Sequence, residues 1–382
     1  MTKNHALVFG ASGVAGWGVV EQLLENYPVK DTFLTTTAIV NRPLTFEESR
    51  WPGPSPDKPE LDLVSGIDLT EGSPEDFAAV LKSKVKGIAE ITHVYYYAYK
   101  PDEPEKEVST NVRMLERVIF ALKKLSPNLK FIVFPSGSKA YGAVLVPGGY
   151  FKAPYDETMV LPEEENKKIF YWEFQKLLAR ESKDESWTWC DIRPDAVIGF
   201  VPNGSQYNLT AHWANYLSAY ALLEGKGSQV PFPGTPAVYK SKYNEASSTM
   251  IGRISIWASL NPQKSSEQTF NIADQAKGES MQERWPALCS YFGLEGVPPS
   301  ESRGALLPGA YVKAHRHELQ KKGIKGTEVF KAEFLDHYGF IFDFDRQFSL
   351  QKARGAGFAD EVDPNQSWFT AFDRFKAAGM LS

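Results

Sequence analysis

Apolar and polar positions along the chain fall into two alternating rhythms. Ala6-Leu7-Val8-Phe9 is an uninterrupted apolar run that ends at Gly10, and Val14 opens a longer stretch, through Leu24, with apolar residues on most of its turns. A short apolar run closed by glycine reads as a buried strand, and the longer one as an apolar-faced helix. The pair recurs down the chain. Strand-like runs stand at 37–40, 61–69, 92–99, 129–134 and 187–194, with helix-like runs at 74–85, 108–125 and 170–178 between them. Ser73-Pro74-Glu75-Asp76 carries a capping pattern, and Phe77, Val80, Leu81 and Val85 share one helical face. Strands alternating with helices predict an α/β fold around a doubly wound parallel sheet. Beyond residue 200 the rhythm breaks. Helical runs near 208–224, 245–260, 279–293 and 327–340 surround short strand-like pieces such as Gln268–Ile272. The expected organisation is a nucleotide-binding domain over 1–200, with some later segments returning to it, and a smaller, mostly helical, discontinuous cap over 201–382.

The first turn carries the chemistry. Gly10, Gly13 and Gly16 are spaced three apart between strand and helix. Such a turn lets backbone N–H groups and the positive end of a helix approach a pyrophosphate without a Cβ in the way. Strand before and helix after make this a Rossmann-type dinucleotide site rather than a glycine-rich structural turn. The GxxGxxG spacing is typical of extended short-chain dehydrogenases/reductases. At the end of the second strand stand Asn41 and Arg42, with no acid. A carboxylate there would accept from a ribose diol, whereas an arginine pairs with a 2′-phosphate. NADP(H) is therefore expected over NAD(H), the alternative for Arg42 being a solvated loop charge. Asp68-Leu69, ending the third strand, is placed to contact adenine. The end of the fourth strand, at Tyr97, should line the groove, because ligands bind outside the carboxyl ends of parallel strands. Tyr95 reads as core.

Composition narrows the classes without changing this picture. Net charge is −5, which argues against a nucleic-acid partner. Aromatic residues make up 13% of the chain and suit an apolar ligand cavity without requiring one. Cys190 and Cys289 read as buried small hydrophobes, and the six histidines show no metal-ligand spacing. The N-terminal residues lead straight into the first strand and no run is long enough to span a membrane, so a cytoplasmic location is expected. A homodimer fits this pattern without being specified by it.

Ordinary short-chain reductases place a tyrosine and a lysine four residues apart on one helix. There the lysine charge lowers the phenol pKa. Here Tyr171 is followed at that offset by Gln175, and Lys176 projects about 140° further round the helix. The usual pair is missing. Ser136-Gly137-Ser138-Lys139-Ala140-Tyr141-Gly142, Phe170-Tyr171-Trp172, Arg193-Pro194 with Ile198-Gly199-Phe200 and Pro202, and Asn208-Leu209 together resemble the progesterone 5β-reductase/iridoid synthase-like family. That family belongs to the atypical extended short-chain reductases. Asn41-Arg42-Pro43, Asp68-Leu69, Asn111, Pro231-Phe232-Pro233-Gly234, Ile256-Trp257-Ala258 and Phe270-Asn271-Ile272 extend the similarity from residue 5 to about 295.

The resemblance implies a relocated lysine, Lys139, acting with Tyr171 as the catalytic pair. It also implies an NADP(H) groove lined by Gly10, Ser12, Gly13, Val14, Gly16, Asn41, Arg42, Asp68, Leu69, Tyr97, Ser136, Lys139, Pro194 and Val197. Asn111 would brace the backbone near the site. Departures from the family pattern lie at Trp172, Gln175 and Lys176, and in the loop around Gly148-Gly149-Tyr150-Phe151-Lys152. The implied activity is reduction of a C=C bond conjugated to a carbonyl in a small hydrophobic substrate. Reduction of the carbonyl itself is the alternative, followed by a non-redox isomerase or cyclase, or a cofactor sensor. Tyr141, Trp172, Phe200, Asn208, His212, Trp213 and Tyr243 are candidates for the substrate cavity, with plain packing as the competing reading. No metal is expected.

Overall fold

A computed structural model describes residues 4–205, 207–300, 307–329 and 333–382. Seven parallel strands form the central sheet: β1 (Asn4–Phe9), β2 (Phe33–Val40), β3 (Glu60–Ser65), β4 (His93–Tyr96), β5 (Phe131–Pro135), β6 (Thr188–Pro194) and β7 (Gln268–Ile272). Their order is β7-β6-β5-β4-β1-β2-β3, so the sheet reverses direction beside β1, with β4 on one side and β2 on the other. That reversal opens the crevice in which such folds bind ligands. Alternation along β1 decides the two faces. Ala6 and Val8 enter one core, and Leu7 and Phe9 the other. Helices α1 (Val14–Leu24) and α6 (Ser248–Leu260) cover the first face; α2 (Pro74–Lys84), α3 (Pro104–Leu125) and α4 (Phe170–Glu181) cover the second. Ser73 and Asp76 form the expected capping box of α2.

Helices α1 and α6 approach so closely that glycine is required on both. A Cβ on Gly18 would lie 2.4 Å from the Ser248 carbonyl oxygen, and one on Gly252 would lie 2.8 Å from that of Gly18. Both β7 and α6 lie beyond residue 200 yet belong to the central layer. The remaining late segments, including α5 (Leu209–Glu224), α7 (Met281–Tyr291) and α8 (Pro364–Ala377), pack around Trp213, Phe232 and Trp285. Helix α8 also reaches back to the beginning of the fold: Arg374 pairs with the buried Glu21 at 2.6 Å and lies over the Trp17 ring.

The expected helix over 327–340 is not continuous. Helical turns stand at Gly326–Val329 and Tyr338–Ile341 with a 3₁₀ segment over Glu333–His337, and residues 330–332 fall outside the described residues. Helix α8, rich in Phe and Trp on one face, escaped the periodicity reading. Cys190 and Cys289 are both buried and free. Among the described residues no helix is long and apolar enough to cross a membrane, and no cluster of ligating side chains could hold a metal.

Candidate active site at the carboxyl edge of the sheet

A groove of about 710 Å³ runs along the carboxyl ends of β1, β2, β4, β5 and β6. At its floor, Gly10 has φ of 72°, and a Cβ there would stand 2.5 Å from the Tyr97 backbone. At Gly16 it would stand 2.3 Å from the Gly10 carbonyl oxygen. These two glycines are demanded by the fold itself. Gly13 differs: its φ is −85°, and a Cβ would meet only the Gly10 oxygen at 3.4 Å. It is the N-cap of α1, no side chain caps the helix, and the first turn holds no acid. Open N–H groups and the positive end of the helix macrodipole therefore face the groove beside a residue without a side chain. That arrangement fits a dinucleotide pyrophosphate.

Beyond the glycine turn the groove is lined by Asn41, Arg42, Asp68, Leu69 and Thr70. Asp68 accepts from the Thr70 amide at 2.8 Å, the Thr70 hydroxyl at 2.7 Å and the Asn41 amide group at 3.2 Å. Burial raises the Asp68 carboxyl, but these hydrogen bonds and the Lys100 charge outweigh it, and the group titrates below its ordinary value. Asn41 is thus held by Asp68, whereas Arg42 is exposed with no ion-pair partner among the described residues. A guanidinium in that position is available to a phosphate.

At the opposite end, β5 leads into Ser136-Gly137-Ser138-Lys139. Helix α4 brings Tyr171 against this loop: a Cβ on Gly137 would lie 3.6 Å from the Tyr171 hydroxyl and 3.5 Å from the Pro194 carbonyl oxygen. Burial pushes the Tyr171 phenol well above its ordinary value; Asp191 and Glu107 push it further, and Arg193 pulls it back. The group stays protonated and can donate. Lys139 is not bonded to Tyr171. Its Nζ donates to Glu107 at 2.8 Å, and Glu107 also accepts from the Tyr99 hydroxyl. Asn111 braces this corner: its side chain accepts from the Lys100 amide at 3.0 Å and donates to the Lys100 and Glu107 carbonyls, each at 2.9 Å.

A family model, the PRISE-like Rossmann-fold domain, matches residues 6–382. The chain belongs to that family. It is 30% identical to the short chain dehydrogenase ausT of Aspergillus calidoustus, over 98% of this chain and 93% of that one. It is 26% identical to the 3-oxo-Delta(4,5)-steroid 5-beta-reductase of Arabidopsis thaliana, over 98% and 92%. Among solved structures, UDP-glucose 4-epimerase of Thermotoga maritima superposes with a TM-score of 0.62 at 14% identity, covering 98% of this chain and 99% of that one. The GDP-mannoheptose C4 reductase of Campylobacter jejuni, with NADP bound, gives 0.60 at 13%, with the same coverage. At these identities the superpositions show the Rossmann fold, while the family supports an oxidoreductase of the short-chain type.

In this PRISE-like chain, Gly10, Ser12, Gly13, Val14, Gly16, Asn41, Arg42, Asp68, Leu69, Tyr97, Ser136, Pro194 and Val197 all line the groove. Lys139 stands apart, against Glu107. Gln175, at the position of the usual lysine, donates to Asp191 at 3.0 Å, and Lys176 pairs with Glu173 on the helix surface.

The candidate substrate residues make the following contacts. The Tyr141 hydroxyl donates to Asn271 at 2.7 Å in a closed cluster with Tyr155 and Phe348. Phe200 is wedged between Trp17 and Phe375, and Asn208 caps α5 by accepting from Ala211. His212 lies 3.0 Å from Asp336, and Trp213 packs on Trp285. The Tyr243 hydroxyl donates to Glu245 at 3.1 Å. All six are buried, and Trp213 and Tyr243 also line a small cavity beside Arg346. Trp172 lies half-buried on α4 with Lys176 over its ring. Missing from the sequence reading were Glu107, Tyr99 and Tyr207 at the groove's edge, and the charged Asp191 and Arg193 in β6. A charged pair two residues apart in a buried strand was the available signal.

Proposed function

We propose that this PRISE-like protein is an NADPH-dependent reductase of C=C bonds conjugated to a carbonyl. The carrying observation is Tyr171, whose hydroxyl has no hydrogen-bond partner among the described residues, is held protonated, and stands beside Gly137, next to the groove-lining Ser136. The name of the Arabidopsis relative, a 3-oxo-Delta(4,5)-steroid 5-beta-reductase, supports an enone as the substrate class. Arg42 supports the 2′-phosphorylated cofactor.

When bound, the reduced nicotinamide supplies hydride. The protein's part is to receive the negative charge that then gathers on the substrate's carbonyl oxygen. Tyr171 donates a hydrogen bond to that oxygen, and a donor aimed at developing charge contributes about 3–4 kcal/mol in comparable sites. Lys139 supplies positive charge from the loop beside it, shared with Glu107. The glycine turn and Arg42 fix the cofactor, and the Ser136–Lys139 loop sets the face on which substrate lies.

The test is NADPH consumption over a panel of enones, saturated ketones and aldehydes, with products identified by mass spectrometry. Saturated carbonyl products are expected. In the Tyr171→Phe variant kcat should fall by about 10²–10³-fold while NADPH still binds. Alcohol products, or unchanged turnover in that variant, would overturn the reading.

A further inference from the structure

Glu107 carries one bond on each of its carboxylate oxygens. Oε2 accepts from the Lys139 ammonium at 2.8 Å, and Oε1 accepts from the Tyr99 hydroxyl. The acid is itself held in place. It stands on α3 with its side chain 14% exposed, and its carbonyl oxygen accepts from Asn111, one turn further along the helix, at 2.9 Å. The same Asn111 pins both backbone groups of Lys100, the residue after Tyr99.

Each partner of Glu107 bears on a different member of the proposed pair. Lys139 lies in the single 3₁₀ turn Ser138–Tyr141, and among the described residues Glu107 is the only hydrogen-bond partner of its ammonium. A lysine head sits on a flexible four-carbon stem, so without that carboxylate nothing polar would fix where its charge lies. Tyr99 bears on Tyr171. Its ring stacks on Phe170, with centroids 5.5 Å apart and planes 21° from parallel, and Phe170 opens α4 directly before Tyr171. One carboxylate thus meets the lysine's loop through an ion pair and the tyrosine's helix through a stacked ring.

We infer that Glu107 is a positioning residue: it holds the Lys139 ammonium directly, and through Tyr99 it keeps that charge in one frame with the start of the helix that carries Tyr171. A cation that wanders loses its effect on a reacting oxygen, because productive geometry tolerates little displacement. Glu107 is not among the residues that line the groove, so its loss should spare cofactor binding. The inference rests on the reading of Tyr171 and Lys139 given above.

The test crosses Glu107→Gln, which keeps the shape of the side chain and an acceptor but removes the charge, with Lys139→Met. Alone, Glu107→Gln is expected to lower kcat about tenfold with NADPH affinity unchanged. In the Lys139→Met background it should lower kcat no further, because it acts through that lysine. Unchanged kcat in Glu107→Gln, or the same fold loss in both backgrounds, as a merely structural role would give, would overturn the inference. Tyr99→Phe keeps the ring and removes only the hydroxyl; it should lower kcat about threefold, again only with Lys139 present. If Glu107→Gln fails to fold, unchanged kcat in Tyr99→Phe overturns the inference alone. A second readout needs no turnover: acylation of Lys139 by an amine-reactive ester, measured by peptide mass spectrometry against the exposed Lys176. Labelling of Lys139 should rise severalfold in Glu107→Gln, and an unchanged rate would overturn the inference whatever the activity. A wild-type protein that reduces no carbonyl compound would instead defeat the proposed reaction and leave the labelling result standing.

Discussion

Arg42 and Lys139 are both candidate cations of the site, Arg42 lining the groove and Lys139 standing apart from it, and their surroundings differ. Arg42 projects without an ion-pair partner among the described residues, whereas Lys139 is held by Glu107. Arg42→Ala should therefore weaken NADPH binding about tenfold and leave NADH binding unchanged, read as two dissociation constants by fluorescence titration. Equal loss for both cofactors would show that Arg42 holds something other than the 2′-phosphate. The residues lining the groove were legible because each sits at a fixed offset from a strand end, where local chemistry decides what fits. The partner of Lys139 was not. Glu107 lies 32 residues earlier, and nothing in a linear pattern states which acid a folded loop will meet. Tyr141 reads the same in sequence whether it faces a ligand or, as in the fold, donates to Asn271.

The glycine turn separates two roles that the GxxGxxG spacing merges. Gly10 and Gly16 are sterically tied to backbone, while Gly13 has room for a methyl group as far as the protein is concerned. Gly16→Ala should destabilise the protein by several kcal/mol, seen as a lower urea midpoint, because backbone must move to admit the Cβ. Gly13→Ala should fold with near-normal stability and lose dinucleotide affinity. If Gly13→Ala binds cofactor normally, the pyrophosphate does not approach that turn. Strands β1, β4 and β5 were readable because each buries an apolar run, whereas β3 is mostly half-buried and β6 carries Asp191 and Arg193. After residue 200 the elements are buried on several sides and their apolar residues no longer mark one face. Helix α5, with buried residues from Leu209 to Ala219 on every side, shows why periodicity fades there.

Across the whole molecule, late segments are tied to the sheet through buried acids. Asp274 follows β7, accepts from the Ser247 amide at 2.7 Å and bonds the Ser367 hydroxyl in α8. Burial raises its carboxyl to about 6, with Glu245 adding to the rise and the serine hydrogen bonds opposing it. The unfolded chain then loses this proton at lower pH than the folded one, so stability falls as pH rises from about 4 to about 6 and is level above. The cost at neutral pH is about 3 kcal/mol. Relative to Asp274→Asn, wild-type unfolding free energy in urea should decline over that window; a constant difference would mean that Asp274 stays ionised throughout. The division of the chain was legible only in outline, since the return of β7 and α6 to the central layer is set by pairings across long stretches of chain. The contact between Arg374 and Glu21 gives this topology a consequence for synthesis. Strand β1 and helix α1 leave the ribosome well before α8, yet Glu21 and the ring of Trp17 receive their cover from α8, made hundreds of residues later. The nascent nucleotide-binding half must therefore wait, with its first helix partly bare, in the state that chaperones engage. A nonsense mutation just before residue 364 should yield an aggregating chain, even though every residue of the glycine turn is intact.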